Sequence, residues 1–435
     1  MSDSTLDQIL KLASQKAEAV EVYYLSTQDT PIKFENNRLK SLQTKAKQGV
    51  ALRLIYRGRL GFASSTDLTR IEDLVDAAIQ TSKVGDIAEW KFARSLDFNS
   101  PKITYSLPQI DELIESGQQI IEGVHSYNSN ILVDVNFNIR TTNVKILTNT
   151  NLYASRSNQL LSASISGNLV QDEDFLNISV SDVVSNHPLD IDQLLQKLVQ
   201  KYRWAENSAK ISSGTFPVFF TPRAVARAIA RLFKTVLSGQ VVVQKASPLT
   251  NKIGETLFDP CFTLFEDPNI GPYACPFDDE GIETTVKNFI EAGTLKNFYW
   301  DQKWASRAKC KSTGNGFRGG LSQPSPGLVN LSISPGSSSE SELIGNIESG
   351  LIVDQVLGAG QSNQLAGEFS VNLDLGYKVE KGEITGRVKN TMVAGNIFEA
   401  FQNLVDIGNV PELVGGGYYL PSILFQKLGV AARQS

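Results

Sequence analysis

Hydrophobic positions recur in this chain with two periods, one helical and one strand-like. The sharpest helical pattern is TPRAVARAIARLFKTVLS, residues 221–238. Val225, Ile229, Leu232, Phe233 and Val236 fall on one side of a 3.6-residue turn. Arg223, Arg227, Arg231 and Lys234, spaced four, four and three apart, fall on the other. Thr221 predicts an N-cap, Pro222 suits the first turn, and Gly239 predicts a C-cap. Burying the five apolar side chains contributes roughly 8–15 kcal/mol gross, an upper bound. The stretch contains no His, Cys, Asp or Glu.

Four more helical stripes precede it. They run through Leu6, Ile9, Leu10, Ala13 and Ala17; through Leu68, Ile71, Leu74, Val75 and Ala78, capped at Thr66 or Asp67; through Ile110, Leu113, Ile114, Ile120 and Ile121; and through Ile191, Leu194, Leu195, Leu198 and Val199. Between them lie strand-like runs at 20–27, 32–43, 49–56, 60–65, 131–140, 144–149, 152–170 and 175–184, with Gly58 at a hairpin bend and loop at 86–105. The pattern predicts an α+β protein. Residues 1–210 form an N-terminal α+β domain of antiparallel sheet and helices, with 1–105 and 106–210 as candidate lobes that no internal repeat supports. KISSGT at 210–215 reads as a linker. Residues 211–435 form a C-terminal β-rich domain with few helices, those at 339–345 and 396–404 among them; its strands include 216–220, 262–265, 283–291, 327–334, 350–357, 366–379 and 383–393.

Composition narrows the classes. The chain has 435 residues, 41% hydrophobic and 20% charged, as ordinary globular proteins have. A net charge of −5 argues against a dedicated nucleic-acid binder. No apolar run approaches the roughly 20 residues of a membrane span. The first 20 residues lack the basic and apolar regions of a signal peptide, so cytoplasmic residence is expected. Three cysteines without a CxxC suggest neither a disulfide framework nor a zinc knuckle. Two histidines, His125 and His187, leave little room for a His-based metal site or triad.

The densest carboxylate cluster is Asp278-Asp279-Glu280-Gly281. Such a group either shapes an exposed turn before the glycine or holds a divalent metal for acid–base work. Its spacing fits no EF-hand. Thr313 to Gly320, TGNGFRGG, sets Arg318 in a glycine-rich loop without the lysine or context of a phosphate-binding loop, and reads as a flexible surface or cavity-lining segment. Gly358-Ala359-Gly360 starts like a dinucleotide fingerprint but lacks the surrounding βαβ unit. The basic stripe of residues 223–234 is either a solvated face or a contact for a partner subunit or acidic extended substrate.

From Phe216 onward the chain resembles the TldD/PmbA family. The resemblance rests on Asp278 to Gly281, then IEAGTLK at 290–296, STGN at 312–315, GEFS at 367–370, GYKVEKGEI at 376–384 and MVAGN at 392–396. Arg53 and the Gly61-Phe62-Ala63 strand extend it into the first half. The resemblance implies an N-terminal α+β part, a C-terminal β-rich domain and a two-subunit complex. In that complex TldD is a zinc metallopeptidase with an HExxxH helix and a later Cys ligand, and PmbA, also called TldE, lacks the motif. Together they enclose a cavity for unfolded peptides, including precursors of microcin-type antibiotics.

In this sequence the helix of residues 221–238 stands where the zinc helix belongs. Arg231 and Val236 are expected at the histidine positions and Leu232 at the general base; no cysteine follows Asn409. The resemblance therefore implies a PmbA-like subunit, without catalytic or metal residues, paired with a zinc-bearing TldD-like subunit or with a second copy of itself. Arg223, Arg227, Arg231, Lys234, Asp278, Asp279, Glu280 and Arg318 are its candidate partner or cavity contacts, with Asp278 to Glu280 also shaping a loop. The alternatives are an independent hydrolase holding a metal on Asp278, Asp279 and Glu280, and a homodimeric peptide-binding module.

Overall fold

In the computed structural model, which describes residues 3–94, 105–172, 174–359 and 363–433, the chain is α+β. Strands β1 (Ala19–Glu35), β2 (Arg38–Leu42), β3 (Lys45–Tyr56), β4 (Arg59–Ser65), β5 (Leu132–Thr148), β6 (Tyr153–Gln171) and β7 (Asp174–Val184) form one antiparallel sheet in the order β4-β3-β1-β5-β6-β7, with β2 on β1. β1 pairs with β5 from Glu21 to Phe34, so the sheet runs unbroken across both candidate lobes.

Side chains alternate across a strand, and here both faces are used. Val20, Val22 and Tyr24 point to α1 (Asp3–Ser14) and α2 (Ile71–Ser82). Val133, Val135 and Phe137 pack with α3 (Ile110–Tyr127) and α4 (Ile191–Trp204). The opposite face carries Tyr23, Ala51, Ile146 and Ala154, which pack on Phe277 of the C-terminal half.

Three expected boundaries move for local reasons. The runs at 20–27 and 32–43 are one strand and a hairpin return, because Asn36 and Asn37 both adopt positive φ and close a two-residue turn. Pro31, which has no N–H, sits where the ladder to β2 and β3 is interrupted and the Thr30 and Thr44 hydroxyls meet at 3.0 Å. Helix α2 starts later than its expected cap, since Asp67 instead accepts from the backbone and hydroxyl of Thr69.

The C-terminal half centres on a closed ring of five strands. β8 (Gly214–Phe220) lies between Ser349–Leu357 and Ile423–Ala432; Thr391–Asn396 and Glu368–Glu380 follow, and the last pairs back with Ser349–Leu357. A six-stranded sheet that includes Leu264–Glu266, Lys287–Glu291 and Leu331–Ile333 shares its core. Residues 222–236, directly after β8, lie in that core. Phe233 meets Phe258, Phe262 and Phe401 at ring distances of 5.1–5.7 Å. Part of the 86–105 loop and of the 358–363 glycine segment lies outside the described residues.

Candidate functional site

The helical rod starts as its sequence predicts. Thr221 is the N-cap, its hydroxyl accepting from the Ala224 N–H at 3.4 Å, and Pro222 opens the first turn. It is not uniformly α-helical. Pro222–Ala224 and Arg231–Val236 flank a π-helical segment, Val225–Ala230. The rod is also more enclosed than a two-sided amphipathic helix: Ala224, Ala226, Ala228 and Ala230 are buried along with the five expected apolar residues.

This geometry corrects the expected placement of the zinc motif. Leu232 and Val236 are wholly buried in the core, where neither position can present a ligand or base to a substrate. Two ligands five apart on an α-helix stand roughly 140° apart. A π turn, which bonds residue i to i+5, brings them to one face. On the side of the π segment that is not closed by the core stand Arg227, which is exposed, and Arg231, which is half-buried, with Ala226 beside them. Alanine offers no donor atom there, and guanidinium offers hydrogens rather than a lone pair. The residues present do not fit a zinc ion.

The four cations of the rod have different surroundings. Arg223 donates to the Ser179 carbonyl at 2.6 Å and to the Gln355 side chain at 2.9 Å. Burial pulls the Lys234 ammonium below its ordinary pKa, against the pull of Glu266. Arg231 and Arg227 both act electrostatically on the Tyr418 phenol. Among the described residues, the side chains of Arg227, Arg231 and Lys234 make no hydrogen bond or ion pair.

Asp278, Asp279 and Glu280 form neither an exposed turn nor an open metal site. All three are buried at the joint between the N-terminal sheet and the C-terminal half. Asp278 accepts from the backbone of Glu280, Ile282 and Gly316 at 2.8–2.9 Å. One Asp279 oxygen takes Arg156 and the Tyr23 hydroxyl, at 2.5 and 3.2 Å; the other takes the Arg318 N–H at 2.8 Å. Glu280 takes Arg53 and the Gln302 N–H, each at 2.8 Å. Every carboxylate oxygen of the trio thus has a donor, and no lone-pair cluster is left for a metal. Among the described residues no group of three His, Cys, Asp or Glu stands close enough to hold one.

Arg318 belongs to this knot. Its guanidinium is buried, bonded to Glu21 at 2.5 Å and stacked 4.5 Å from the Tyr23 ring. The glycine-rich loop is therefore a packed cradle rather than a flexible surface segment. Asn315 is fully buried and donates to Glu266, which also pairs with Lys287 at 2.6 Å. A Cβ on Gly316 would stand 2.3 Å from the Glu280 carboxylate, and Gly281, at φ +76°, faces Leu152 where a Cβ would stand at 2.4 Å.

Charge is matched within the knot. Arg53, Arg156 and Arg318 face Glu21, Asp279 and Glu280. Two further carboxyls are pushed up: Asp278 well above its usual range by burial and by Glu280, and Asp301 to about 7 by burial and the same neighbour. Glu21, Tyr23, Arg156 and Asp301 escaped the sequence reading. A signal existed for Glu21 and Arg53: each is a lone charge inside an apolar run, and they face one another across β1 and β3. The thiols lie apart from this chemistry; Cys275 is buried, with its pKa raised to about 11 by that burial, and Cys261 and Cys310 are exposed. His125 and His187 sit against the backbone carbonyls of Ile131 and Pro188.

Comparison with known proteins places this geometry. Residues 213–432 match the family model described as the PmbA/TldA metallopeptidase C-terminal domain, and residues 20–82 match its domain 1. The "Metalloprotease PmbA homolog" of Buchnera aphidicola is 24% identical over 93% of this chain and 92% of its own length. The "Metalloprotease TldD homolog" of the same organism is also 24% identical, over 92% and 87%. Identity thus does not separate the two branches. The crystal structure of TldE from Thermococcus kodakarensis superposes with a TM-score of 0.90 at 24% identity, covering 98% of this chain and all of that one. The chain belongs to the PmbA/TldD metallopeptidase family.

Proposed function

We propose that this chain is a non-catalytic, PmbA/TldE-like subunit that completes the peptide chamber of a TldD-like zinc metallopeptidase. One observation carries the reading: the rod of residues 221–238 contains no His, Cys, Asp or Glu, so no face of it offers a zinc ligand or a general base. Its apolar side chains and its arginine and lysine cations neither bind the metal nor take a proton from water. The absence of any cysteine beyond Cys310 supports it. The hydrolase alternative loses its basis, because Asp278, Asp279 and Glu280 are committed to arginines and backbone N–H groups. The unpaired Arg231 and Lys234 suit an acidic partner surface. Zinc belongs to the partner in this scheme, and the substrate is unfolded peptide in the cytoplasm.

The test is co-expression with a TldD-like protein, followed by native mass measurement, metal analysis and a peptide-cleavage assay with each chain alone and together. The expected outcome is a mixed complex with zinc bound by the partner and cleavage only when that partner is present. Chelator-sensitive cleavage by this chain alone would overturn the reading. A native mass of two copies of this chain, with no capture of the partner, would instead favour a homodimeric module.

A further inference from the structure

At the amino end of the rod, between α4 and strands β6 and β7, lies a cavity of about 540 Å³. That volume is within the roughly 300–1,000 Å³ of small-ligand sites. Trp204, Phe219 and Ile352 give it an apolar floor. Its charges are unevenly spent. Lys201 holds both oxygens of Asp354 at 2.7 Å, and Lys197 holds Glu412 at 2.6 Å. Arg223 is bonded only to neutral acceptors, the Ser179 carbonyl and the Gln355 side chain. Arg227, also on the wall, has no hydrogen-bond or ion-pair partner among the described residues. Arg227 therefore lines the cavity without a carboxylate of its own, and Arg223 feels Asp354 and Asp374 without a bond to either. The rod's amino end, with its partial positive charge, opens on the same space.

We propose that this cavity binds the free α-carboxylate end of a short peptide, with the carboxylate on Arg227 beside Arg223. A planar guanidinium matches a carboxylate in a two-pronged bond. The apolar floor takes a C-terminal side chain. Asp354, Glu340 and Glu412 also line the cavity, and their negative charge repels a dianion more than a monoanion, which favours a carboxylate over phosphate. Burial and Glu412 raise the Glu340 pKa, which lowers the negative charge opposing the ligand. The cavity takes the last few residues of a chain, not a folded segment.

This inference rests on the peptide-handling reading given above but not on the zinc partner, so its test uses the isolated full chain. Tetra-alanine as the free acid, tetra-alanine with a C-terminal amide, and inorganic phosphate are each titrated by calorimetry, with Trp204 fluorescence as a second readout. The free acid is expected to bind, and the amide to bind at least tenfold more weakly. Arg227→Gln should weaken the acid at least tenfold and leave the amide unchanged. Equal binding of acid and amide, phosphate binding as tightly as the acid, or no saturable binding at millimolar peptide would each overturn the proposal. The acid–amide comparison needs no variant, so it stands whether or not Arg227→Gln folds. Loss of partner capture with intact acid-selective binding would count against the subunit reading alone.

Discussion

At the joint between the halves, three arginines meet three carboxylates and every oxygen of the Asp278–Glu280 trio has a donor. Along the rod, three of four cations have no such bond. The residue types are the same, but the partners differ. Buried charges survive only when matched, whereas charges at a cavity or surface can be left available. The matched group holds the fold, and the unmatched group is free to bind.

The largest blow to this contrast is Arg53→Ala. It strands Glu21 and Glu280 in a buried site and should cost about 3–5 kcal/mol, read by urea denaturation. Gly316→Ala pushes a methyl into the Glu280 carboxylate and should cost about 1–3 kcal/mol in the same measurement. Asp301 gives the knot a pH signature. Its folded pKa of about 7 lies above the ordinary aspartate value of 3.8, so the folded form keeps a proton that the unfolded chain has lost. Its contribution is complete below pH 4 and disappears as pH rises through 7. Asp301→Asn retains the cap on the Trp304 N–H and should flatten the fall in stability between pH 4 and 7 relative to the parent. The smallest effect on folding belongs to the stripe. Arg231→Glu should shift stability by under about 1 kcal/mol while weakening capture of the TldD-like partner, more so at low salt. A loss of stability as large as that of Arg53→Ala would erase the contrast.

Much of the rod was legible, because cap, proline and apolar spacing are local. Its π turn was not: the same string fits i+4 and i+5 pairings, and only packing in the core selects between them. The α+β class followed from periodicity, and the unbroken sheet did not, since β1 finds β5 more than a hundred residues away. The acidic trio was visible as a cluster and misread in environment. Arg53 lies 227 positions from Glu280, and Arg156 lies 123 from Asp279. A run of carboxylates cannot announce that cations from another strand will neutralise it. The cavity was invisible for the same reason, being walled by α4, β7, the rod and residues 340 and 412 together.

Phe219, Ile352, Leu375 and Tyr377 of the strand ring share one core with Val133, Phe137 and Leu198 of the first half, and the charge knot crosses the same joint. A chain cut near residue 210 would expose that apolar surface, take Asp279 from Arg156 and leave Arg53 with Glu21 alone. The two halves are therefore expected to unfold as a single cooperative unit. Calorimetry of the full chain should record one heat-absorption peak, and Arg53→Ala should split or broaden it before either half is lost. The linker at 210–215 divides the sequence but not the melting.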